Sequence, residues 1–426
     1  MKYCIKISKK ELLSNMIAWC LALNFGFYPI LSKVFSPPLD SGFLLIAFLL
    51  AILSLLVSGF PYMKCMLPWI LVWALITINC IHFESTFASS RDLLIYLVCM
   101  YSLAKKEAWM EQIIKVLCTV CMLHVAATIV FFIFPFFYRA TMPKFWGFYP
   151  IGTENGWKGY RAALSPHYST NGIYCAIAFL ISGGRYLIGR NTNIVKKRLF
   201  KIMLLSFATV LLTTKRAHLL FSVLSLMAGY YLCKQEKSSK KLLKLLRGGI
   251  LLTILLTISV HAFPVLEETV NRFFKSGDIS TGRFAMWALA WQLFLQNPII
   301  GIGWGKYATV MYRPLGIRSD YATSVHNVYL QVLCETGIIG FSFFVIVFFV
   351  TYYATIKTIR TCELDHKYYN MLLISALIQT FVLLYNFTGN CIYDFTLCVY
   401  MISVMISITI RKRALKADLK FDNEVE

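Results

Sequence analysis

Long apolar runs alternate with short polar connections along nearly the whole chain. Each run approaches the roughly 20 residues with which an α-helix crosses a bilayer core of roughly 30 Å. The pattern therefore predicts an all-α polytopic membrane protein with about twelve transmembrane helices. The predicted spans are residues 12–31, 42–60, 66–83, 91–104, 112–137, 167–183, 199–213, 217–233, 248–262, 338–355, 369–388 and 392–410. Because the sequence shows no internal repeat or separate soluble segment, we expect a single integral membrane domain over residues 1–426.

Two longer polar stretches interrupt the apolar pattern, and both are predicted to be loops on the extracytoplasmic side. The smaller stretch covers residues 138–166 and combines basic, aromatic and glycine residues. The larger covers residues 263–325 and contains a segment, Arg283 to Gln296, whose apolar residues recur every three or four positions. This spacing predicts an amphipathic helix that lies on the membrane surface and ends before Pro298.

The composition agrees with a membrane protein, since 58% of the residues are hydrophobic and 15% are charged. The net charge of +22 is typical of nucleic-acid binding, but most of the 42 Lys and Arg residues lie in short connections on the N-terminal side of the predicted spans. Such loops mark the cytoplasmic side of a membrane protein. We therefore expect membrane lipids rather than nucleic acid as partners, and both termini in the cytoplasm. Lys2 and Lys6 precede a first span without a small-residue cleavage site, so this span should remain uncleaved.

Cysteine and acidic residues give little sign of a metal site or a cofactor. Most of the 13 cysteines lie within apolar runs, where they act as small apolar side chains rather than disulfide partners. Cys118, Cys121 and His124 have the spacing of metal ligands, but they lie inside a predicted span and lack a clear fourth ligand. The polar loops contain no Asp-x-Asp pair. We expect neither a metal nor a cofactor.

Four basic residues are candidates for ligand binding on the extracytoplasmic side. Arg161 precedes the sixth span, and Arg283 begins the amphipathic segment. Lys215 and Arg216 lie in the tight turn predicted from Thr213 to His218, where adjacent cations are costly unless they reach water or an anion. These side chains either extend to lipid headgroups or bind an acidic ligand.

Glycine and histidine residues follow the amphipathic segment. Gly301, Gly303 and Gly305 leave backbone amides unobstructed and accept positive φ, so they are a weak candidate for a cradle around anionic oxygens. His326 and Asn327 follow a polar loop and precede an apolar run. A histidine at this position either makes local hydrogen bonds near a helix start or takes part in chemistry, and the residues alone leave both alternatives open.

Together these residues form a compound motif. Arg-x-x-x-Trp is followed by Asn-Pro-Ile-x-Gly-x-Gly, by His-Asn and by Glu-x-Gly-x-x-Gly, which predicts a helix break before the next span. This order resembles the signature region of the O-antigen ligase and polymerase superfamily, which comprises bacterial membrane glycosyltransferases. The matching residues are Arg283, Trp287, Asn297, Pro298, Ile299, Gly301, Gly303, His326, Asn327, Glu335, Gly337 and Gly340. An upstream Thr/Ser-x-Arg-x-x-x-Leu pattern is matched by Thr214, Arg216 and Leu220, so the resemblance covers about residues 205–355.

The resemblance implies a donor, a saccharide on undecaprenyl diphosphate, and roles for several residues. Arg216 and Arg283 would clamp the diphosphate, because a guanidinium donates two parallel hydrogen bonds. His326 would accept the proton of the acceptor hydroxyl or contact the diphosphate. Glu335 would orient His326 or stabilise the helix break. The further candidates for substrate binding are Arg161, Lys215, Asn327, Gly301 and Gly303.

The acceptor distinguishes the two branches of the superfamily. A ligase joins finished polysaccharide to lipid A-core, whereas a polymerase joins repeat units while both remain on the lipid carrier. The single large loop after the ninth span, with both termini inside, favours the ligase, acting at the periplasmic face of the bacterial inner membrane. A lipid-linked saccharide transporter is a third alternative. Transporters place ionisable residues near mid-membrane, whereas here these residues gather at one face.

Overall fold

The structure, a computed structural model, describes residues 9–36, 39–59, 64–188, 192–233, 236–262, 267, 282–310, 324–362 and 364–425. Within these residues the protein is helical and contains no strand, which confirms the predicted all-α class. Lys2 and Lys6 lie outside the described residues, as do positions 263–266, 268–281 and 311–323 of the predicted large loop.

The described helices overlap every span predicted from the apolar runs. In chain order they are α1 (Lys9–Val34), α2 (Gly42–Ser58), α3 (Leu67–His82), α4 (Ala88–Leu103), α5 (Ala108–Ile133), α6 (Pro135–Trp146), α7 (Tyr168–Leu187), α8 (Asn193–Leu212), α9 (Arg216–Cys233), α10 (Ser238–Ala262), α11 (Arg283–Gln296), α12 (Val328–Thr361), α13 (His366–Tyr385) and α14 (Thr396–Val425). Seven of them are long and apolar enough to cross a membrane, namely α1, α2, α3, α5, α9, α12 and α13. The count of about twelve spans stays a prediction.

Two segments predicted as polar connections contain more helix than the pattern indicates. Helix α6 lies largely within the 138–166 stretch. Pro135 begins it with a φ suited to a first helical turn, and Gly147, with φ 75°, ends it in the left-handed conformation. The predicted turn from Thr213 to His218 is shorter than expected, because α9 begins at Arg216. Arg216 is therefore the first residue of a helix rather than part of a turn.

Helix α7 is buried over most of its length and brings several elements together. All residues from Asn171 to Gly184 are buried, and α7 contacts α5, α8, α9 and α13. Near its N-terminus, a Cβ added to Gly172 would lie 3.3 Å from His218 of α9. The His218 ring in turn lies 5.2 Å from that of Tyr385, the last residue of α13. The start of α7, the start of α9 and the end of α13 therefore meet at one end of the bundle.

Helix α12 contains a break at Gly337, where φ is 63° and ψ is −169°. This conformation is essentially restricted to glycine. The segment 298–303 runs against the break and pairs with the helix on both sides. The pairing consists of hydrogen bonds from the amides of Ile302, Gly303 and Ile338 to the carbonyls of Cys334, Glu335 and Pro298, at 3.0, 2.9 and 2.8 Å. The break predicted before this span is confirmed, and so are the bounds of the amphipathic helix, which is α11.

Gly337→Ala should greatly reduce the amount of folded protein. A Cβ at this position would lie 2.2 Å from the Ile299 carbonyl oxygen, and the backbone conformation alone costs a non-glycine residue about 1–3 kcal/mol. Gly248→Ala is the matched control, because a Cβ there meets nothing within 4 Å on helix α10. The measurement is the monodisperse fraction and the thermal midpoint of each variant in detergent. Equal behaviour of the two variants would contradict the close approach described at Gly337.

Candidate functional site

Polar side chains from five separate elements meet at the end of the bundle where α7 and α9 begin. The Lys215 ammonium lies 3.9 Å from the ring centre of Tyr168. Ser169 Oγ lies 3.5 Å from His218 Nε2. At the start of α12 and the end of α13, His326 Nδ1 lies 3.4 Å from Asn390 Nδ2. We call this region the polar end; it also includes Arg283, at the start of α11.

Three cations of the polar end lie close enough to influence one another. Burial lowers the pKa of Lys215, and the charges of Arg283 and Arg216 lower it further. Burial is also the main cause that lowers the pKa of Arg283, with a contribution from Arg216. Because like charges in a partly buried region repel, an anion that enters here gains electrostatic energy from all three. The structure thus brings Lys215, Arg216 and Arg283 close to one another.

His326 lies beside these cations and is held in an unusual backbone conformation. Its φ is 53°, which is uncommon for a residue other than glycine. Burial lowers the pKa of His326 to about 4, with further lowering by Arg283 and Lys215. The imidazole is therefore neutral at neutral pH, with one nitrogen that carries a proton and one that accepts a hydrogen bond.

Asn390 decides which nitrogen of His326 is the acceptor. In the described orientation its amide nitrogen faces Nδ1, while its buried Oδ1 has no hydrogen-bond partner among the described residues. As described, the amide donates to Nδ1 and the imidazole proton lies on Nε2, whereas a half-turn of the amide places Oδ1 against Nδ1 and fixes the proton on Nδ1. In that arrangement the lone pair of His326 Nε2 is available to a substrate. The orienting partner of His326 is thus Asn390.

Asn327 has a structural role in the described residues. Its side-chain oxygen accepts a hydrogen bond from the Leu330 amide at 3.2 Å and caps the N-terminus of α12. The next amide, that of Val328, donates to the Asn386 carbonyl at 2.8 Å. These two bonds hold the residue beside His326 in place, whereas a substrate contact of Asn327 stays a prediction.

The three glycine amides predicted as an anion cradle all have acceptors within the protein. The amide of Gly301 donates to the Asn297 carbonyl, that of Gly303 to the Glu335 carbonyl, and that of Gly305 to Glu335 Oε2. The described amides therefore do not form the cradle. Gly301 is needed instead because its backbone packs directly against that of Glu335, where a Cβ would lie 2.3 Å from the Glu335 carbonyl carbon.

Arg161 is buried and has an acidic partner. Its Nη1 donates to Glu154 Oε1 at 2.8 Å, and its carbonyl accepts a hydrogen bond from the Asn171 amide group at 3.0 Å. The Glu154 carboxylate thus balances the charge of Arg161. The hydrogen bonds described for Arg161 lead to Glu154 and Asn171, and its substrate contact stays a prediction.

The carboxylate of Glu335 is fully buried and accepts four hydrogen bonds. Two come from the backbone amides of Gly305 and Tyr307, at 2.9 and 3.2 Å. The others come from Gln331 Nε2 at 3.2 Å and from the Tyr393 hydroxyl at 2.6 Å. These donors belong to three segments: residues 297–307, α12 itself and the connection between α13 and α14. We call this arrangement the Glu335 junction.

The partners of Glu335 extend the junction to the site. The Tyr307 hydroxyl donates to the Met286 carbonyl of α11, the helix that begins with Arg283. Gln331 Oε1 accepts from the amide of Val325, the neighbour of His326. The carbonyl of Val325 accepts from Trp287 of α11. The contacts of Glu335 therefore support a structural role rather than a direct contact with His326.

Several residues of the polar end were not predicted from the sequence. They are His167, Tyr168, Ser169, Tyr385, Asn390 and Asp394. The available signal was weak: SPHYST at the start of the sixth predicted span, and TGNCIYDF in the last extracytoplasmic connection. Both stretches are polar and lie on the side where Arg283 was placed. Nothing in their spacing indicates that they meet.

A comparison with protein families covers part of this site. Residues 202–345 match the family model described as O-Antigen ligase (Wzy_C). The matched region, about a third of the chain, runs from α8 past the break in α12 and includes Lys215, Arg216, Arg283 and His326. The match confirms the resemblance to the O-antigen ligase superfamily. No curated protein matches the chain.

Glu335→Gln should destabilise the protein by roughly 1–3 kcal/mol, because one carboxylate oxygen is replaced by an amide NH2 group, which cannot accept a hydrogen bond and leaves the facing donors unsatisfied. The measurement is unfolding of the purified protein in detergent micelles. Glu111→Gln is the matched control, since the ion pairs of Glu111 with Lys115 and Lys367 are largely exposed and should contribute roughly 0–1 kcal/mol. An equal loss of stability in both variants would contradict the Glu335 junction.

Proposed function

We propose that the protein is a membrane glycosyltransferase that transfers a saccharide from a lipid diphosphate to an acceptor hydroxyl. The observation that carries the proposal is the polar end, where Lys215, Arg216 and Arg283 influence one another and the neutral His326 lies near Arg283 and Lys215. These four residues lie within the region that matches the O-antigen ligase family. Cations around a neutral hydrogen-bond acceptor suit a reaction in which an anion leaves and a proton is removed.

The donor in this proposal is a saccharide on undecaprenyl diphosphate. Arg216 and Arg283 bind the diphosphate, since each planar guanidinium can donate two parallel hydrogen bonds to phosphate oxygens. Lys215 adds a third positive charge, and its side chain packs against Tyr168 at 3.9 Å. Because the protein supplies this charge itself, the proposal includes no metal and no cofactor.

In the reaction, the acceptor oxygen forms a bond to the anomeric carbon of the donor saccharide. The bond from that carbon to the phosphate oxygen breaks, and the electron pair leaves with undecaprenyl diphosphate. The negative charge that develops on the leaving oxygen is stabilised by Arg216, Arg283 and Lys215. The proton of the acceptor hydroxyl passes to His326 Nε2, whose lone pair is free when Nδ1–H donates to Asn390.

Binding of the donor prepares His326 for this step. In the free protein Arg283 and Lys215 help to lower the pKa of His326 to about 4, which makes the ring a weak base. A bound diphosphate offsets these cations, so the pKa of His326 rises and the ring becomes a better proton acceptor. The base thus becomes effective only when a donor is present.

We propose lipid A-core as the acceptor, as in the ligase branch, with the reaction at the periplasmic face of the inner membrane. The supporting arguments are the distribution of basic residues and the family match. The first supports a polar end on the side opposite the basic connections, and the second supports chemistry of the ligase and polymerase type. A polymerase, which uses a second lipid-linked glycan as the acceptor, has the same donor chemistry. The experiment below distinguishes the two.

The pH dependence of transfer should report the low pKa of His326. Above a pKa of about 4 the ring is neutral, so kcat/KM should remain high as the pH falls through 6.5 and should decline only near the lower value. The decline of kcat should lie at higher pH, because the bound diphosphate raises the pKa. Both profiles can be measured with the purified protein in nanodiscs. A kcat/KM that already declines near pH 6.5 would contradict a neutral His326 beside Arg283.

His326→Ala should abolish transfer and also reveal the acceptor. In cells whose lipopolysaccharide depends on this protein, loss of a ligase leaves bare lipid A-core while polysaccharide accumulates on undecaprenyl diphosphate. Loss of a polymerase instead leaves core with one repeat unit. The two outcomes are separated by a gel of surface lipopolysaccharide beside an extract of lipid-linked polymer.

Arg283→Ala and its control, Arg360→Ala, are compared in the same assay. Arg283→Ala should be inactive, with partial recovery in Arg283→Lys, which keeps the charge and loses the fork. Arg360 is exposed and lies near the C-terminus of α12, at the end away from His326, so Arg360→Ala should be active. A normal polysaccharide ladder from well-expressed His326→Ala and Arg283→Ala proteins would refute the proposed function.

A further inference from the structure

His167 is held rigidly where the chain enters α7. Its neighbours Pro166 and Tyr168 pair with Ile151 on both sides, through hydrogen bonds of 3.0 and 3.2 Å. The side chain is also fixed, since Nδ1 accepts a hydrogen bond of 2.9 Å from the Ser169 amide and caps the helix. A histidine cap is unusual, because Asn, Asp, Ser and Thr are the preferred residues.

The cap determines where the imidazole proton of His167 lies. Burial lowers the pKa of His167 to about 3, with further lowering by Lys215 and His326, so the ring is neutral. A backbone amide can only donate, so Nδ1 must be the acceptor and the proton must be on Nε2. No hydrogen-bond partner for Nε2 is recorded among the residues that the structure describes. The Nε2–H is thus a neutral donor of fixed direction.

The surroundings of His167 indicate what this donor binds. The next two residues contact the cationic turn and α9, with Tyr168 at 3.9 Å from Lys215 and Ser169 at 3.5 Å from His218. An acceptor that enters a region with three cations is most favourably an anionic oxygen. A protonated fourth cation would add repulsion in the empty site, whereas a neutral N–H donor does not.

We propose that His167 is a further substrate-binding residue, whose Nε2–H donates a hydrogen bond to a diphosphate oxygen of the lipid donor. The inference rests on the proposed function and adds a contact to it. The two histidines then have opposite tasks: His167 donates to the departing group, and His326 accepts the proton of the attacking hydroxyl. The hydrogen bond of His167 becomes stronger as negative charge develops on the leaving oxygen.

The test separates the two roles of His167, which are the α7 cap made by Nδ1 and the hydrogen bond proposed for Nε2–H. His167→Asn and His167→Ser keep a preferred cap for α7, but their side chains are too short to reach as far as imidazole Nε2. We expect folded protein with a thermal midpoint near that of wild type, and a kcat that is roughly 100- to 1,000-fold lower, as when one donor to a developing oxyanion is removed. KM for the acceptor should change little.

Binding of undecaprenyl diphosphate without a saccharide is the second measurement, with the full-length protein in nanodiscs. Both variants should bind this probe roughly tenfold more weakly, the value expected for loss of one hydrogen bond to a charged group. Thr192→Ala is the matched control, because it removes the cap of α8, where the Val195 amide lies 3.5 Å from Thr192 Oγ1. It should leave kcat and the affinity for the probe unchanged.

The outcomes distinguish this inference from the proposed function. Wild-type kcat and probe affinity in a folded His167→Asn or His167→Ser protein would overturn the role of His167. Loss of folded protein in both variants would also overturn it, since the ring would then be needed for packing. If the wild-type protein itself neither binds undecaprenyl diphosphate nor transfers a saccharide from it, the proposed function fails instead.

Discussion

The buried carboxylate of Glu335 is the interaction on which the rest of the site depends. A fully buried carboxylate is tolerated only when hydrogen bonds replace its hydration, and here donors from three chain segments provide them. The donors also need the carboxylate, because two of them are backbone amides that would otherwise be buried without an acceptor. The segments that carry Arg283, His326 and Asn390 are therefore held in one arrangement by a group that does not contact the reacting atoms.

The electrostatics of the polar end favour a bound anion over an empty site. Lys215, Arg216 and Arg283 repel one another, and burial raises the cost of the charges of Lys215 and Arg283. Burial and the charges of Arg283 and Lys215 also lower the pKa of His326, so the imidazole remains neutral. In the proposed function, a bound diphosphate relieves the repulsion and at the same time increases the basicity of His326. Binding and activation thus have one physical cause, which links the presence of the donor to the readiness of the base.

Local patterns predicted the helices well and the long-range contacts poorly. Apolar runs and the spacing from Arg283 to Gln296 are properties of neighbouring residues, and they gave the correct helices. The same patterns suggested that Gly301 and Gly303 expose amides to a ligand, whereas both amides bond to protein carbonyls. Some glycines are needed for a positive φ and others because a neighbouring backbone packs directly against them, and the two kinds look alike in sequence. Here the neighbouring backbone is that of Glu335, which is distant along the chain from Gly301. His167 was missed because its position beside Lys215 exists only after folding.

The region that matches the O-antigen ligase family ends at residue 345 and begins at residue 202, so it supplies only part of the polar end. Tyr168 and Ser169 come from before it, and Asn390 comes from after it. A chimaera that exchanges only the matched segment between two relatives would combine the cations and the His326 position of one protein with the residues of the other protein at the positions of Tyr168, Ser169 and Asn390. Transplanting specificity would therefore require three pieces of chain, with junctions outside the start of α7 and the connection between α13 and α14.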